Sequence, residues 1–233
     1  MELMYQTLEE ELSRLNLELT EEIRHKLCDF GHAMVKQNEG MNLTAITEPD
    51  QVAKLHLLDS LSVLSVQDMT GKKVIDVGCG AGFPGVPLKI ACPGMELTLL
   101  DSLGKRMNWL QEVLPTLGVD AQCVTARAEE AVTDCREQYD FATSRAVARL
   151  PVLLELTAPY VKVGGAVLAM KGAAAQEELK ESQNAIRALG LKLEKIHQFP
   201  IDDTSHAVIV LRKVAHTPKQ YPRRYAKIKQ SPL

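Results

Sequence analysis

KVIDVGCGAGFPG, residues 73–85, decides the reading of this chain. A short run rich in β-branched residues passes straight into a glycine-rich loop, the pattern of a strand that carries its backbone under a nucleotide. Dinucleotide dehydrogenases, ATP-binding proteins and methyltransferases all use that pattern, so the frame of the glycines matters. Gly80-Ala-Gly82-Phe-Pro-Gly85 satisfies GxGxxG, yet in a dinucleotide fold the first glycine comes directly after the strand, and here that residue is Gly78. Counted from Gly78, the third glycine falls on Phe83 and the frame fails. No GKS or GKT comes after the glycines, which excludes a P-loop. The remaining frame is Asp76-Val-Gly78-Cys-Gly80-Ala-Gly82, an acid beside GxGxG. Its negative charge suits a ligand carrying a sulfonium and an ammonium better than one carrying a pyrophosphate.

Outward from the loop, two further strand ends carry polar residues. Asp101 closes the next apolar run in LTLLDSLGKR, where a carboxylate accepts both ribose hydroxyls. The third run ends in TARAEEA, which puts Ala128 and Glu129 near an adenine edge. A glycine turn with surface acids is the plain alternative, but three successive strand ends favour a nucleoside, and the loop frame favours S-adenosylmethionine.

The acceptor's chemistry should appear after the fourth strand, at YDFATSRAVARLP. The Asn/Asp-Pro-Pro-aromatic signature of exocyclic-amine methylation is absent, and no cysteine stands at that strand end for pyrimidine C5 chemistry. Cys79, inside the glycine loop, reads as a small inert residue. Ser144-Arg145-Ala146 occupies the strand end instead. An arginine there suits an acceptor with lone pairs, or an RNA phosphate. A ring nitrogen such as guanine N7 carries no proton and needs no general base. Lys171 reads as solvated, Lys105 and Arg106 as surface, and His56 with Asp59 as a surface pair one helical turn apart.

The whole chain sets the frame for these motifs. At 233 residues it can bury a full core without disulfides or metal. No stretch approaches the ~20 apolar residues of a membrane span, and the acidic, amphipathic N-terminus does not have the order of a signal peptide. Five scattered cysteines without CxxC spacing suggest neither a disulfide framework nor a zinc site. The expectation is a reduced, soluble, cytoplasmic protein. The net charge of −3 hides a segregation: no Asp or Glu comes after Asp203, while Arg212, Lys213, Lys219, Arg223, Arg224, Lys227 and Lys229 do. The tail TPKQYPRRYAKIKQSPL interleaves Tyr221 and Tyr225 with base, and reads equally as a solvated segment or as an RNA contact.

Residues 1–66 read as helical. Thr20 caps a helix with Ile23, Leu27, Phe30 and Met34 on one face, Gly40 stops it, and Pro49 opens the next. From Lys73, short apolar runs alternate with helical patterns, which predicts βαβ units and a mostly parallel sheet covered on both faces. LKLEKI and HAVIVLRK, the last two runs, are expected to pair antiparallel at the sheet edge.

Several of these segments, taken in order, resemble one family. They are NLTAI (42–46), HLLDSL (56–61), DVGCGAGFPGVPL (76–88), DSLGKR (101–106), ARAEE (126–130), SRAVA (144–148), MKG (170–172) and TPKQYPRR (217–224). Together they are similar to the bacterial ribosomal RNA small subunit methyltransferase G family, also called glucose-inhibited division protein B. The resemblance implies an α/β class I S-adenosylmethionine-dependent methyltransferase fold: a Rossmann-like, mostly parallel seven-stranded sheet with an N-terminal helical extension. It implies transfer of a methyl group to N7 of a guanosine in 16S rRNA, on naked RNA or on a small-subunit particle. It also implies that Gly78 and Phe83 line the cofactor site beside Gly80 and Gly82, that Ala128 and Glu129 flank adenine, and that Arg145 lies near the methionine or substrate end. Past the YPR motif this chain departs from the family's R-x-G-x-P pattern, reading RRYAKIKQSPL.

The expected organisation is a helical extension over 1–66, a methyltransferase domain over 67–214 and a basic tail over 215–233. Lys219, Arg223 and Arg224 are expected at the RNA, and no metal is expected. The rivals are a methyltransferase for another RNA, a protein or a small molecule, a nicotinamide oxidoreductase, and a non-catalytic RNA-binding module.

Overall fold

The computed structural model describes residues 2–233. It opens with α1 (Glu2–Leu12) and α2 (Glu21–Met41). Thr20 caps α2, its hydroxyl accepting from the Ile23 N–H at 3.3 Å, while Glu21 and Glu22 sit at the positive end of the helix dipole. The helix does not stop at Gly40. It runs to Met41, and Asn42 ends it in the left-handed conformation at φ 49°, which asparagine tolerates better than most residues. Pro49 does open the next helical run, made of α3 (Pro49–Val52), a π-helical stretch over Ala53–Leu58, α4 (Asp59–Leu61) and a 3-10 turn over Ser62–Ser65. π-Helical turns gather at functional sites, and this one carries His56.

From Lys73 strand and helix alternate. The elements are β1 (Lys73–Val77), α5 (Gly85–Ala91), β2 (Glu96–Asp101), α6 (Gly104–Thr116), β3 (Gln122–Thr125), α7 (Ala128–Cys135), β4 (Tyr139–Arg145) and α8 (Leu150–Thr157). Then come β5 (Val161–Lys171), α9 (Ala175–Glu181), α10 (Gln183–Ala188), β6 (Leu191–Ile201), β7 (Thr204–Lys213) and α11 (Tyr225–Gln230). The seven strands form one sheet in the order β3-β2-β1-β4-β5-β7-β6. β1 to β5 pair in parallel, and β7 runs antiparallel to both neighbours. The last two strands make the expected antiparallel pair, with β7 inserted beside β5 and β6 left at the edge.

The period-2 pattern of β1 divides its side chains between two cores. Val74 joins a core with Leu27, Phe30, Val86 and Leu110, so α1, α2, α5 and α6 pack on one face together with the helical run from Pro49. Ile75 and Val77 join Leu153, Leu154, Ile186 and Ile209 on the other face, under α8 and α10. Strand order reverses between β2-β1 and β1-β4, and a crevice opens beyond the carboxyl ends of strands at such a switch point. No helix among the described residues is long and apolar enough to cross a membrane.

Candidate active site

A cavity of about 530 Å³ lies at that switch point, within the range of small-molecule sites. It brings together Gly78, Gly80, Phe83, Asp101, Ala128, Glu129 and Arg145, all singled out in the sequence. Gly80 has φ +57°, and a Cβ there would meet only the Arg106 guanidinium, at 3.8 Å. The backbone at Gly80 therefore faces open cavity. Gly82 is not among the lining residues. At φ +93° its Cβ would lie 2.8 Å from Val86 Cγ2 and 3.0 Å from Leu110 Cδ2, so this glycine lets the loop press on the apolar core.

Asp76 also differs from expectation. Its side chain is fully buried, and Oδ2 accepts from the Gly85 N–H at 2.8 Å. The carboxylate closes the loop onto the start of α5 and presents no charge to the cavity. Burial pushes its pKa up to about 7.

Asp101 stands at the end of β2. Its Oδ2 accepts from the Gly80 N–H at 3.0 Å and its Oδ1 from the Leu103 N–H at 2.8 Å. Each oxygen keeps acceptor capacity beyond these bonds, as a ribose diol requires. Ala128 and Glu129 begin α7, where backbone N–H groups have no intrahelical partner. An acceptor nitrogen of a purine edge suits those donors. Diol acceptor, open glycine and helix-start donors lie at the ends of β2, β1 and β3, so this donor set fits an adenosine. Cys79 is buried, its thiol pushed well above the usual range by desolvation, which agrees with an inert residue.

Across β1 from the adenosine side, Arg145 ends β4 and anchors a network the sequence does not announce. Its Nη1 donates to Asp59 Oδ2 at 2.9 Å and to the Leu55 carbonyl at 2.7 Å. Its Nη2 lies 3.0 Å from His56 Nδ1. The guanidinium also lies over the Phe83 ring, 5.2 Å from the centroid, and the His56 ring stacks on that same phenyl at 4.8 Å. Asp59 reaches His206 as well, Oδ1 to Nδ1 at 2.9 Å. His56 and Asp59 are thus buried partners of Arg145 and not a surface pair. The HxxD spacing is their only local signal. Desolvation and the adjacent guanidinium lower the His56 pKa to about 4.

Arg106, read from the sequence as surface, lines the cavity. Lys171 is part-buried instead of solvated, its Nζ 2.8 Å from Glu178 and 2.5 Å from the Ala148 carbonyl.

The basic segment after β7 is folded onto the body. Arg136 donates to the carbonyls of Thr217, Pro218 and Tyr221. Ile228 of α11 is fully buried against Val152 and Leu156. Arg223 turns inward: its Nε and Nη2 lie 2.8 and 2.6 Å from the two oxygens of Glu155, a residue with no exposed surface. Lys219 and Arg224 remain exposed. A second, more open cavity of about 760 Å³, lined by Arg127, Glu129, Arg224, Tyr225 and Lys229, adjoins the first. Tyr225 lines both. Among the described residues, no cluster of His, Cys, Asp or Glu is placed to hold a metal ion.

Comparison with known proteins identifies the fold and the family. The chain resembles the structure of M. jannaschii TYW2 in complex with AdoMet at a TM-score of 0.56 and 13% identity, covering 68% of this chain and 76% of that one. That likeness is one of fold. A ribosomal RNA small subunit methyltransferase G from Desulfitobacterium hafniense is 44% identical over 94% of this chain and 93% of its own. Its counterpart from Alkaliphilus metalliredigens is 45% identical over 89% and 90%. Residues 23–207 match the family model described as GidB, rRNA small subunit methyltransferase G. With the glycine loop, strand-end carboxylate and β4 arginine gathered in one crevice, this chain belongs to the rRNA small subunit methyltransferase G family.

Proposed function

We propose that this protein transfers a methyl group from S-adenosylmethionine to N7 of a guanosine in 16S rRNA of the bacterial small subunit, in the cytoplasm. S-Adenosylmethionine supplies an electrophilic methyl group on a sulfonium. Asp101 accepts the ribose hydroxyls, the backbone at Ala128 and Glu129 meets the adenine edge, Gly80 lets the ligand pass close to the backbone, and Gly78 lines the cavity where the Val147 side chain leaves no room for a Cβ. Phe83 and Arg145 bound the far end.

The observation that carries the choice of N7 is the lack, among the described residues, of a free base around Arg145. Arginine only donates, so His56 Nδ1, 3.0 Å from Arg145 Nη2, must accept. The other ring nitrogen, 2.9 Å from Thr44 Oγ1, then carries the proton. Both nitrogens of His56 are committed, and Asp59 is held by Arg145 and His206. A nucleophile reacting here through a lone pair, with no proton to lose, suits that environment. Catalysis then rests on alignment of donor and acceptor.

On this reading residues 67–214 carry the chemistry and 1–66 wall one side of the cavity through Thr44 and His56. Residues 215–233 offer Lys219 and Arg224 to RNA phosphates, while Arg223 shapes the segment from inside. The test is incubation with methyl-labelled S-adenosylmethionine and small-subunit particles from cells without the enzyme, then digestion to nucleosides. Label in 7-methylguanosine is expected. Label in any other nucleoside, or in protein, would overturn the reading.

A further inference from the structure

We propose that the Thr44 hydroxyl is a specificity-determining donor to O6 of the acceptor guanine, its direction fixed by His56 and Arg145. This rests on the guanosine N7 reading above and adds how the base is told from adenine.

Thr44 lines the same cavity as Phe83, Arg145 and His56. Its oxygen is approached by two donors. The Ile46 N–H donates to Oγ1 at 3.0 Å. His56 Nε2 lies 2.9 Å from it, and that nitrogen carries the ring proton because Arg145 Nη2 occupies Nδ1 at 3.0 Å. A threonine hydroxyl has two acceptor lone pairs and one proton. Both lone pairs are filled from within the protein, so the proton is what Thr44 has left to offer.

Most threonines can rotate to donate or accept. This one is held as a donor. The Asn38 side chain supports the setting by accepting from the Thr44 backbone N–H at 2.9 Å.

The sheet order decides which end of the cavity Thr44 serves. Asp101 and Glu129 stand at the β2 and β3 ends, while Thr44 belongs to the cluster at the β4 end, on the opposite side of β1. Guanine presents N7 and O6 side by side as acceptors, whereas adenine presents N7 beside an N6 donor. A hydroxyl that can only donate holds O6 and leaves the N7 lone pair free for the methyl group. Against adenine the same proton meets a second donor. His56 is a positioning residue in this scheme: it acts on the base through Thr44.

The experiment compares the wild-type protein with Thr44→Val and Thr44→Ser. Its readouts are 7-methylguanosine formation on small-subunit particles, calorimetric S-adenosylmethionine affinity, and the 15N shifts of His56. Thr44→Val should lower kcat/KM for the particle about tenfold, the scale of one hydrogen bond, at unchanged S-adenosylmethionine affinity. Thr44→Ser, which keeps the hydroxyl, should restore most of the loss, and the wild-type His56 shifts should report the Nε2–H tautomer.

Unimpaired methylation by Thr44→Val, failure of Thr44→Ser to rescue, or an Nδ1–H tautomer would each overturn the assignment. A matching loss of S-adenosylmethionine affinity in Thr44→Val would assign the hydroxyl to the cofactor and overturn it too. If the wild-type protein itself labels a nucleoside other than guanosine, the underlying reading fails and this one with it.

Discussion

Arg145 and Asp59 meet at 2.9 Å across 86 residues of sequence, joining the end of β4 to the N-terminal helical run. The Asp59 side chain is only 7% exposed. Removing Asp59 leaves the Arg145 guanidinium, 16% exposed at the cavity wall, without its carboxylate, at about 1–3 kcal/mol. Asp59→Ala is therefore expected to lower unfolding stability on that scale. A denaturant midpoint within error of wild type would mean that the pair does not hold the two parts together.

Asp101→Ala should weaken S-adenosylmethionine binding by about 1–3 kcal/mol, the range for hydrogen bonds to a charged group. Titration calorimetry reads this directly. Unchanged affinity would remove Asp101 from the ribose.

Burial gives His56 a pH signature. Its ordinary value of 6.5 is lowered to about 4 in the fold, so between these values the unfolded chain binds the extra proton. Stability from this group is complete above 6.5 and drains away as pH falls towards 4. At ~1.4 kcal/mol per pH unit the loss has a ceiling of about 3.5 kcal/mol. Asp76, raised from 3.8 to about 7 by burial, works in the opposite direction over much of the same window. The two are separated by comparison with His56→Asn. The stability gap between wild type and variant should narrow as pH drops from 6.5 to 4, and a constant gap would contradict the buried neutral imidazole.

The two adjacent arginines of the tail should part company. Arg223→Ala leaves the buried Glu155 carboxylate without its cation and should cost about 3–5 kcal/mol of stability. Arg224→Ala should leave stability alone and flatten the salt dependence of RNA binding by about one unit of log slope. The reverse pattern would return Arg223 to the RNA.

Much of this architecture is legible in the sequence because a parallel α/β sheet converts chain order into convergence. Asp101, Ala128, Glu129 and Arg145 are far apart in the chain, yet each lies at or just past a strand end, and parallel strands deliver their ends to one edge. The glycine loop is readable for a similar local reason, though its glycines divide their work: Gly80 faces the cavity and Gly82 the core. Partnerships across elements leave no such pattern. Nothing in HLLDSL announces that Asp59 will find His206, 147 residues on. Asp76 misleads because an acid at a strand end looks the same whether it turns to ligand or to the backbone of Gly85. Glu155 does leave a trace. A single acid inside LPVLLELT, an otherwise apolar helix, asks for a buried cation, and Arg223 supplies it from the segment that composition alone leaves open to solvation.

That pairing ties the middle of the chain to its far end. While the protein is being synthesised, α8 emerges with its carboxylate long before Arg223 or Ile228 exists to cover it. A nascent chain halted in between carries an unneutralised acid and an open apolar strip on α8, the kind of surface that chaperones and proteases recognise. Messages truncated before Arg223 should thus give rapidly cleared polypeptides, so quality control of this protein is exercised through the segment that carries Arg223 and α11.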